Sequence, residues 1–280
     1  MVADPRYVAA RKVLLDALFA LQPHGKAVIV VGAQAIYLRT GMNDVGIAPY
    51  TTDGDIAVDP TILGDEPELE ATMRSAGFDI LSQPKGQPGV WTASVTIEGE
   101  RQIVPIDLIV PKAFAPPGGR RSARIAPHGA QAARKAEGLE AAVVDHAPMT
   151  ISALDPSDTR SITVEVAGLS AMLVAKAYKI RDRLADNNVD RLRDKDAADV
   201  YRIMQTASPR DLGGTLRDLR RHPIAGPVTT TAITLLGELF GSRRSEAIRM
   251  AQRSLALAID PDEIMAVCLA FTAAVLDVAQ

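Results

Sequence analysis

The feature that most restricts the fold of this chain is a short β-branched run that breaks at a glycine. Residues 26–32, KAVIVVG, have the composition of a buried strand, and residues 33–41, AQAIYLRTG, predict a short helix that ends at Gly41. A helical spacing of apolar residues from Tyr7 to Leu21 precedes them. The order helix, strand, glycine turn, helix indicates an α/β arrangement at the start of the chain.

Further strand signals follow as far as residue 110. The segment DGDIAVD, residues 53–59, predicts a strand, and a helix is expected over residues 66–76. Two alternating runs within residues 90–110 predict a β-hairpin with a tight turn at residues 98–100. Pro105 lies in the second run, where a proline is tolerated at a sheet edge or a bulge.

The chain changes character near Val166. From Gly168 onward it is rich in Ala, Leu, Arg and Asp, with helical periodicity and almost no strand signal. We therefore predict two domains, residues 1–166 and residues 167–280, in an α/β (α+β) fold: a mixed sheet flanked by helices, followed by an all-helical domain. The helices expected in the second domain are residues 169–186, 194–206, 209–221, 228–239, 242–258 and 261–279.

Composition excludes several classes of protein. With 31 Lys and Arg against 34 Asp and Glu, the formal net charge of -3 argues against a basic surface for bulk nucleic-acid binding. The single cysteine, Cys268, cannot form a disulfide within the chain. The first residues do not resemble a signal peptide, and no apolar run is long enough to span a membrane. We therefore expect a cytoplasmic protein that has no membrane partner.

A local excess of positive charge lies between Leu108 and Ala136, where the sequence contains no acidic residue. This acid-free stretch, residues 109–135, is either a surface loop or a site for RNA phosphate or a triphosphate. His128 is a further candidate for anion binding because it lies within this stretch. The histidines of the chain have no metal-ligand spacing. The basic residues of the stretch are Lys112, Arg120, Arg121, Arg124, Arg134 and Lys135.

Two carboxylates one residue apart begin the strand predicted at residues 53–59. Residues i and i+2 of a strand face the same side about 6.6 Å apart, so Asp53 and Asp55 can present both carboxylates to one point. Mg²⁺ prefers carboxylate oxygens, and two such ions about 3.5–4 Å apart would offset the repulsion between the acids. Asp107, a polar residue in an apolar strand, is the candidate third ligand. The alternative is that the pair is a solvated strand end and Asp107 an exposed edge residue.

Charged residues of the helical domain form a second group. Lys176, Lys179 and Arg183 are spaced i, i+3 and i+7, which places them on one face of a helix. Asp196 and Asp199 are spaced i and i+3 on the next predicted helix. A lysine on this face could neutralise the charge of a bound phosphate group. The alternative is a solvated pair of helices connected by weak salt bridges.

Two stretches of the chain together resemble a known superfamily. VIVVGAQAIYLRTG, followed after a loop by TTDGDIAVD, is similar to the nucleotidyltransferase signature of the DNA polymerase β-like superfamily, in which a Gly-Ser turn opens a helix and an Asp-x-Asp strand follows. The spacing of Thr51, Asp53 and Asp55 resembles that of AbiE-type and MenT-type toxin nucleotidyltransferases. LSAMLVAKAYKIRDR and RLRDKDAADVY resemble the second motif of those toxins. The match covers roughly residues 28–60 and 169–201.

The resemblance implies a metal-dependent transfer of a nucleoside monophosphate from a nucleoside triphosphate, with two Mg²⁺ ions held by Asp53, Asp55 and Asp107. Asp107, or alternatively Asp196, would take the proton from the attacking hydroxyl. The implied catalytic residues are Asp53, Asp55, Asp107, Lys176 and Asp196. The implied nucleotide-binding residues are Gly32, Ala33, Gln34, Thr51, Thr52, Lys179 and Arg183.

The resemblance also implies a toxin of a toxin–antitoxin system, whose acceptor is a tRNA 3′ end or a protein hydroxyl and whose partner is a cognate antitoxin. The chain departs from the motif in two places: Ala33 stands where the family has serine, and Pro49 where it has arginine. Backbone N–H groups at the helix start can still bind phosphate. Two alternatives stay open: a catalytically degenerate binding protein of the same fold, and an aminoglycoside-type enzyme with a small-molecule acceptor.

Overall fold

A computed structural model describes residues 4–41, 50–81, 87–117, 121–185 and 194–280. Pro49 and Arg120 lie outside the described residues.

The described residues divide into two compact units. The first contains those of 1–35, 49–136 and 146–167, and the second contains those of 36–48, 137–145 and 168–280. The boundary predicted near residue 166 is close to Gly168, where the last segment of the second unit begins. Two shorter segments from the N-terminal half also belong to the second unit, and a single boundary does not include them.

A mixed eight-stranded sheet forms the centre of the first unit, and the α/β class predicted from the sequence is confirmed. Along the sheet the order is β3-β4-β5-β2-β1-β8-β7, and β6 pairs with β5 off this path. The strands are β1 (Val28–Val31), β2 (Gly54–Val58), β3 (Asp79–Ile80), β4 (Val90–Ile97), β5 (Glu100–Pro111), β6 (Arg134–Ala136), β7 (His146–Ser152) and β8 (Ser161–Ala167).

Strand β2 lies between β1 and β5, and its register decides where its acidic residues point. It is antiparallel to β1 and parallel to β5, with Asp55 directly opposite Asp107. A Cβ atom placed on Gly54 would meet the side chain of Leu14, which belongs to helix α1 (Pro5–Ala20). Helix α1 therefore covers the face of β2 that carries Gly54. Because successive residues of a strand alternate between faces, Asp55 projects from the opposite face.

The predicted β-hairpin is confirmed. Strands β4 and β5 are antiparallel and are joined by Glu98 and Gly99, whose φ angles are 52° and 85°. Positive φ at both central residues matches the right-handed twist of the two strands. Pro105 lies in β5 just before pairing with β2 begins at Ile106, where β4 flanks β5 on one side. The proline therefore occupies an edge position, as its missing N–H requires.

Two strands that the sequence did not predict extend the sheet on its other side. Strands β7 and β8 occupy residues 146–167, where the turn-rich segment ALDPSD dominates the local signal. Strand β8 is parallel to β1, with Val30 opposite Val166, and β7 pairs with β8 in antiparallel register. Strands β3 and β6 are too short for an alternating pattern to be recognised in the sequence.

The helices of the first half follow their capping signals. Helix α1 begins at Pro5, and Asp4 caps it by accepting a hydrogen bond from Arg6 N at 2.8 Å. Helix α2 (Gly32–Thr40) follows β1 directly and ends before Gly41, which has the positive φ of a helix terminator. Helix α3 (Leu69–Ser75) begins later than the predicted residue 66, because Glu68 has extended backbone angles.

The C-terminal part of the chain is helical, as predicted. Helix α8 begins later than the predicted residue 242 because Ser242 and Ser245 form a turn before it, in which Ser242 N donates to Ser245 Oγ at 3.2 Å. Among the described residues, no helix combines the length and the apolar character that crossing a membrane requires. The helices are α4 (Leu169–Ala185), α5 (Lys195–Thr206), α6 (Pro209–Arg221), α7 (Ala225–Phe240), α8 (Glu246–Leu255) and α9 (Pro261–Ala279).

Two histidines pack against each other inside the first unit. The rings of His24 and His128 lie 5.8 Å apart in an edge-on arrangement, and both residues are buried. Burial lowers the pKa of both imidazoles, and acidic residues of the segment 65–68 oppose this effect at His128 without reversing it. The prediction that His128 binds anions is therefore wrong, because its ring is enclosed by the protein.

We predict that the protein loses stability as the pH falls from 7 to 5. In the unfolded chain both histidines have a pKa of about 6.5 and bind protons below it. In the folded protein their pKa values are lower, so they stay neutral over the same pH range. Each histidine therefore lowers the free energy of unfolding increasingly as the pH falls. Urea unfolding at several pH values measures it. His24→Gln should flatten the dependence between pH 7 and 5, while His222→Asn, outside the pair, should not. Equal slopes for wild type and His24→Gln would contradict the prediction.

Candidate functional site

The carboxylate of Asp55 lies against the backbone of Gly32, where β1 ends and α2 begins. Gly32 has a φ of 71°, and a Cβ atom built on it would overlap Asp55 Oδ2. Glycine is thus required at this position for two reasons: the positive φ angle, and the space that the Asp55 carboxylate occupies. The negative charge lies at the N-terminal end of a helix, where the helix dipole stabilises it.

Asp53 is held by residues that the resemblance assigned to nucleotide binding. The Thr51 hydroxyl donates a short hydrogen bond to Asp53 Oδ1, and Thr51 is fully buried. Gln34 Nε2 donates to the backbone carbonyl of Asp53 at 3.0 Å and to that of Ala10 at 3.3 Å. Both amide hydrogens of Gln34 are therefore used within the protein. In this structure Thr51 and Gln34 position Asp53, and their predicted contact with a nucleotide stays a prediction.

A buried arginine completes this support. Arg11 Nε donates to Gln34 Oε1 at 2.8 Å, and its Nη2 donates to the Tyr7 hydroxyl at 2.9 Å. Burial lowers the pKa of Arg11, and the contact with Tyr7 offsets part of this effect. The hydrogen bonds satisfy the guanidinium inside the protein, so Arg11 fixes the amide orientation of Gln34. The chain of contacts thus runs from α1 through Gln34 to the backbone of Asp53.

Asp107 shares a face of the sheet with Asp55 and is bound by an arginine. The two acids are register partners on parallel strands, so their side chains project in the same direction. Arg134 is the register partner of Ile109, two residues beyond Asp107, and therefore projects from that face as well. Arg134 donates to Asp107 Oδ2 from Nε at 3.1 Å and from Nη2 at 2.5 Å. Both side chains keep contact with solvent, with exposed fractions of 29% and 22%.

Sequence reasoning did not assign Arg134 to the site. The acid-free stretch contained the signal, because the stretch itself offers no carboxylate to an arginine within it. Gly89 keeps the Arg134 backbone close to β5: its φ is 74°, and a Cβ atom on it would overlap Arg134 N and Leu108 O. The glycine therefore allows β5 and β6 to approach as closely as they do.

The carboxylates supply the hard oxygen donors that Mg²⁺ prefers, and the space at Gly32 admits the Asp55 carboxylate. Asp53 and Asp55 fit a magnesium ion in donor chemistry. Asp107 is instead engaged by Arg134, and within the described residues no group of three or more His, Cys, Asp and Glu side chains is arranged to hold a metal. The predicted three-carboxylate set therefore stays a prediction.

The remaining residues predicted to bind nucleotide differ in accessibility. Ala33 is buried in the first turn of α2, whereas Thr52 is exposed. Lys112, Arg121 and Arg124 of the acid-free stretch are also exposed. Thr52 and the three basic side chains are therefore accessible to an anion from solvent.

In the second unit, a buried charge cluster forms where α4 meets α5. Lys176 Nζ donates to Asp196 Oδ1 at 2.7 Å and to Asp199 Oδ2 at 2.6 Å. The three side chains are 4% exposed or less. Burial alone would lower the pKa of Lys176, but the two carboxylates outweigh it and raise that pKa. The lysine is therefore charged and neutralised by its own unit.

Asp196 pairs with the cations that the sequence predicted on one face of a helix, which is α4. Besides Lys176, it pairs with Arg183 Nε at 2.6 Å and Lys179 Nζ at 3.6 Å. Burial would raise the pKa of Asp196, but these cations outweigh it and lower that pKa far below its ordinary value. A carboxylate that holds its charge so firmly is a poor proton acceptor. The geometry thus argues against the alternative in which Asp196 is the general base.

Residues from the C-terminal half of α2 complete the cluster within the second unit. The Tyr37 hydroxyl donates to Asp199 Oδ1 at 3.0 Å. Arg202 lies over the Tyr37 ring at 5.3 Å, and its Nε donates to the Thr40 hydroxyl at 2.7 Å. These contacts connect the C-terminal half of α2 to α5 within the second unit. The solvated-helix interpretation does not describe Lys176, Asp196 and Asp199, although Lys179 and Arg183 remain partly exposed.

A scan against protein-family models gave no match, and a search of the curated proteins gave no significant match.

We predict that Gly32→Ala destabilises the protein by more than Gly77→Ala does. Both glycines have positive φ, but nothing lies within 4 Å of a Cβ atom on Gly77, whereas one on Gly32 overlaps Asp55. The control should lose about 1 kcal/mol for backbone strain alone, and Gly32→Ala should lose about 2 kcal/mol or more. Urea unfolding measures both. Asp55→Ala in the Gly32→Ala background should recover part of the difference, and equal losses for the two glycines would rule out the close approach.

We predict that Lys176→Met destabilises the protein by about 3–5 kcal/mol, because it leaves two carboxylates buried without a cation. The matched control is Lys179→Met on the same helix, which breaks a partly exposed pair and should lose about 1 kcal/mol or less. Denaturant unfolding of the two variants tests the difference. A Lys176→Met protein as stable as the control would show that the cluster is not a buried ionic unit.

Proposed function

We propose that this protein is a metal-dependent nucleotidyltransferase that transfers a nucleoside monophosphate from a nucleoside triphosphate to an acceptor hydroxyl. The observation that supports it best is the position of Asp55, which lies against the glycine turn at the start of α2 and directly opposite Asp107. Acids on neighbouring strands beside a helix N-terminus place metal-binding oxygens next to phosphate-binding N–H groups. Both parts also belong to the motif that the sequence resembles.

Each group of the chain has a distinct task in this proposal. In this proposal the backbone N–H groups at Gly32 and Ala33, in the first turn of α2, bind phosphate oxygens. Asp53 and Asp55 would hold magnesium, which supplies positive charge to neutralise the triphosphate and the developing charge of the reaction. Thr51 and Gln34 keep Asp53 in place through the hydrogen bonds described above.

The transfer itself needs a proton acceptor, and Asp107 is our candidate. The acceptor hydroxyl gives its proton to Asp107, its oxygen forms a bond to the α-phosphorus, and the bond from that phosphorus to the bridging oxygen breaks. Pyrophosphate leaves with the electron pair of the broken bond. Lys176 lies in the buried charge cluster, where it orders α4 and α5; its catalytic role stays a prediction.

We propose a tRNA 3′ end as the acceptor and a toxin role in a toxin–antitoxin system. The exposed basic residues of the acid-free stretch support a polyanionic acceptor, because RNA phosphates are attracted by cations that lack neighbouring acids. The same residues argue against an aminoglycoside-type acceptor, since a polycationic substrate would be repelled by them.

A second candidate is a binding protein of the same fold without activity. It is favoured by Ala33, which lacks the hydroxyl of the family motif, and by the engagement of Asp107 with Arg134. Calorimetry with a nucleoside triphosphate in the presence and absence of Mg²⁺ separates the candidates. The enzyme binds the nucleotide in a magnesium-dependent manner, and an inactive scaffold without the site does not.

We predict that purified protein incubated with Mg²⁺, each labelled nucleoside triphosphate and total tRNA labels RNA, and that Asp53→Ala abolishes the labelling. Loss of one carboxylate of the pair should raise the barrier by several kcal/mol, which lowers the rate by about a thousandfold or more. Asp79→Ala, which removes an exposed acid of β3, is the matched control and should remain active. If wild type and Asp53→Ala behave alike with all four nucleotides and with both RNA and protein acceptors, the enzymatic proposal fails.

A further inference from the structure

We infer that Arg134 is a positioning residue that holds Asp107 until a triphosphate takes its guanidinium, so that nucleotide binding releases the third carboxylate of the site. The inference rests on the proposed function, since it assigns a task to a residue beside the proposed proton acceptor. It names the ligand of Arg134 as the phosphate of a nucleoside triphosphate, and Asp107 as the group that this ligand replaces.

The argument begins with the pairing itself. Two nitrogen donors of Arg134, Nε and Nη2, converge on a single oxygen, Asp107 Oδ2, at 3.1 Å and 2.5 Å. A carboxylate in such a charge-assisted pair is both neutralised and fixed in orientation. It is therefore a weaker ligand for a cation than the same carboxylate without the arginine. Asp107 cannot bind a metal ion fully while Arg134 holds it.

The backbone of Arg134 is fixed while the end of its side chain is accessible. Its strand, β6, pairs with β5 in parallel register, and Gly89 allows the two backbones to approach closely. The Arg134 side chain is 29% exposed. Its guanidinium can therefore exchange partners by rotation of the side chain, without a change in the sheet.

A triphosphate is the partner that fits such an exchange. A guanidinium binds carboxylate and phosphate with the same planar set of donors, and a triphosphate carries more negative charge than one carboxylate. Arg134, Asp107 and Asp55 project from the same face of the sheet, on which the Asp55 carboxylate meets the start of α2. A phosphate bound at the backbone N–H groups that begin α2 would thus lie on the same face of the sheet as Arg134.

If a triphosphate replaces Asp107 as the partner of Arg134, one substitution of Arg134 should change two binding affinities in opposite directions. Arg134→Gln frees Asp107, so the protein should bind Mg²⁺ alone about fivefold more tightly or better. It also removes a phosphate ligand, so binding of an α,β-methylene nucleoside triphosphate with Mg²⁺ should weaken about tenfold or more. Calorimetric titration measures both affinities, and neither depends on turnover. Arg134→Lys, which keeps the charge without the planar donors, should shift both affinities in the same directions by smaller factors.

Two controls isolate the contact. Arg101→Gln removes a positive charge from an exposed position of β5 outside the acid-free stretch and should leave the Mg²⁺ affinity unchanged. Asp107→Asn in the Arg134→Gln background should remove the gain in Mg²⁺ affinity, because the freed carboxylate is then absent. A gain that survives this second substitution would overturn the inference.

The inference and the proposed function fail in different ways. If wild-type protein labels an acceptor while the Arg134 variants bind Mg²⁺ and the triphosphate analogue as Arg101→Gln does, the exchange is wrong and the enzyme stands. If wild type binds neither Mg²⁺ nor the analogue and labels no acceptor, both are wrong. Opposite shifts of the two affinities in Arg134→Gln, with the loss of the gain in the double variant, support the exchange.

Discussion

The close approach of the Asp55 carboxylate to the backbone of Gly32 is the contact on which the candidate site depends. It needs a residue without a side chain and with positive φ at the end of β1, and it needs an acid on the adjacent strand in that register. The registers of β1, β2 and β5 then place Asp107 opposite Asp55, and the pairing of β5 with β6 adds Arg134 to the same face. One local contact is therefore extended into a site by sheet pairing alone.

Asp53, beside this contact, is held by a specific set of hydrogen bonds from buried polar groups. Gln34, Thr51 and Arg11 are buried, and each makes hydrogen bonds that satisfy its polar groups inside the protein. Such groups are costly to bury unless they are paired, so their presence around Asp53 indicates that its position is firmly held. Asp53, which lies immediately before β2, is thus held by Thr51 and by Gln34 of α2, which Arg11 of α1 orients.

The second unit contains a cluster of buried charges where α4 meets α5. Lys176 lies between Asp196 and Asp199, and Tyr37 binds Asp199 from the other side. Desolvation opposes the charges of Lys176 and Asp196, and the ionic contacts outweigh it. Buried ion pairs add little net stability over apolar packing, but breaking one is strongly unfavourable. We infer that the cluster enforces a single arrangement of α4, α5 and the end of α2 within this unit.

The sequence by itself determined the local elements: the helices of the C-terminal half, the hairpin at Glu98 and Gly99, and the strand, glycine and helix around Gly32. Periodicity and turn chemistry are properties of adjacent residues, so they can be read along the chain. Only the tertiary structure decided that Arg134 binds Asp107, that Gln34 supports Asp53, and that β8 lies beside β1. These pairings join residues distant in sequence, and sheet register and burial, which no local pattern encodes, select them.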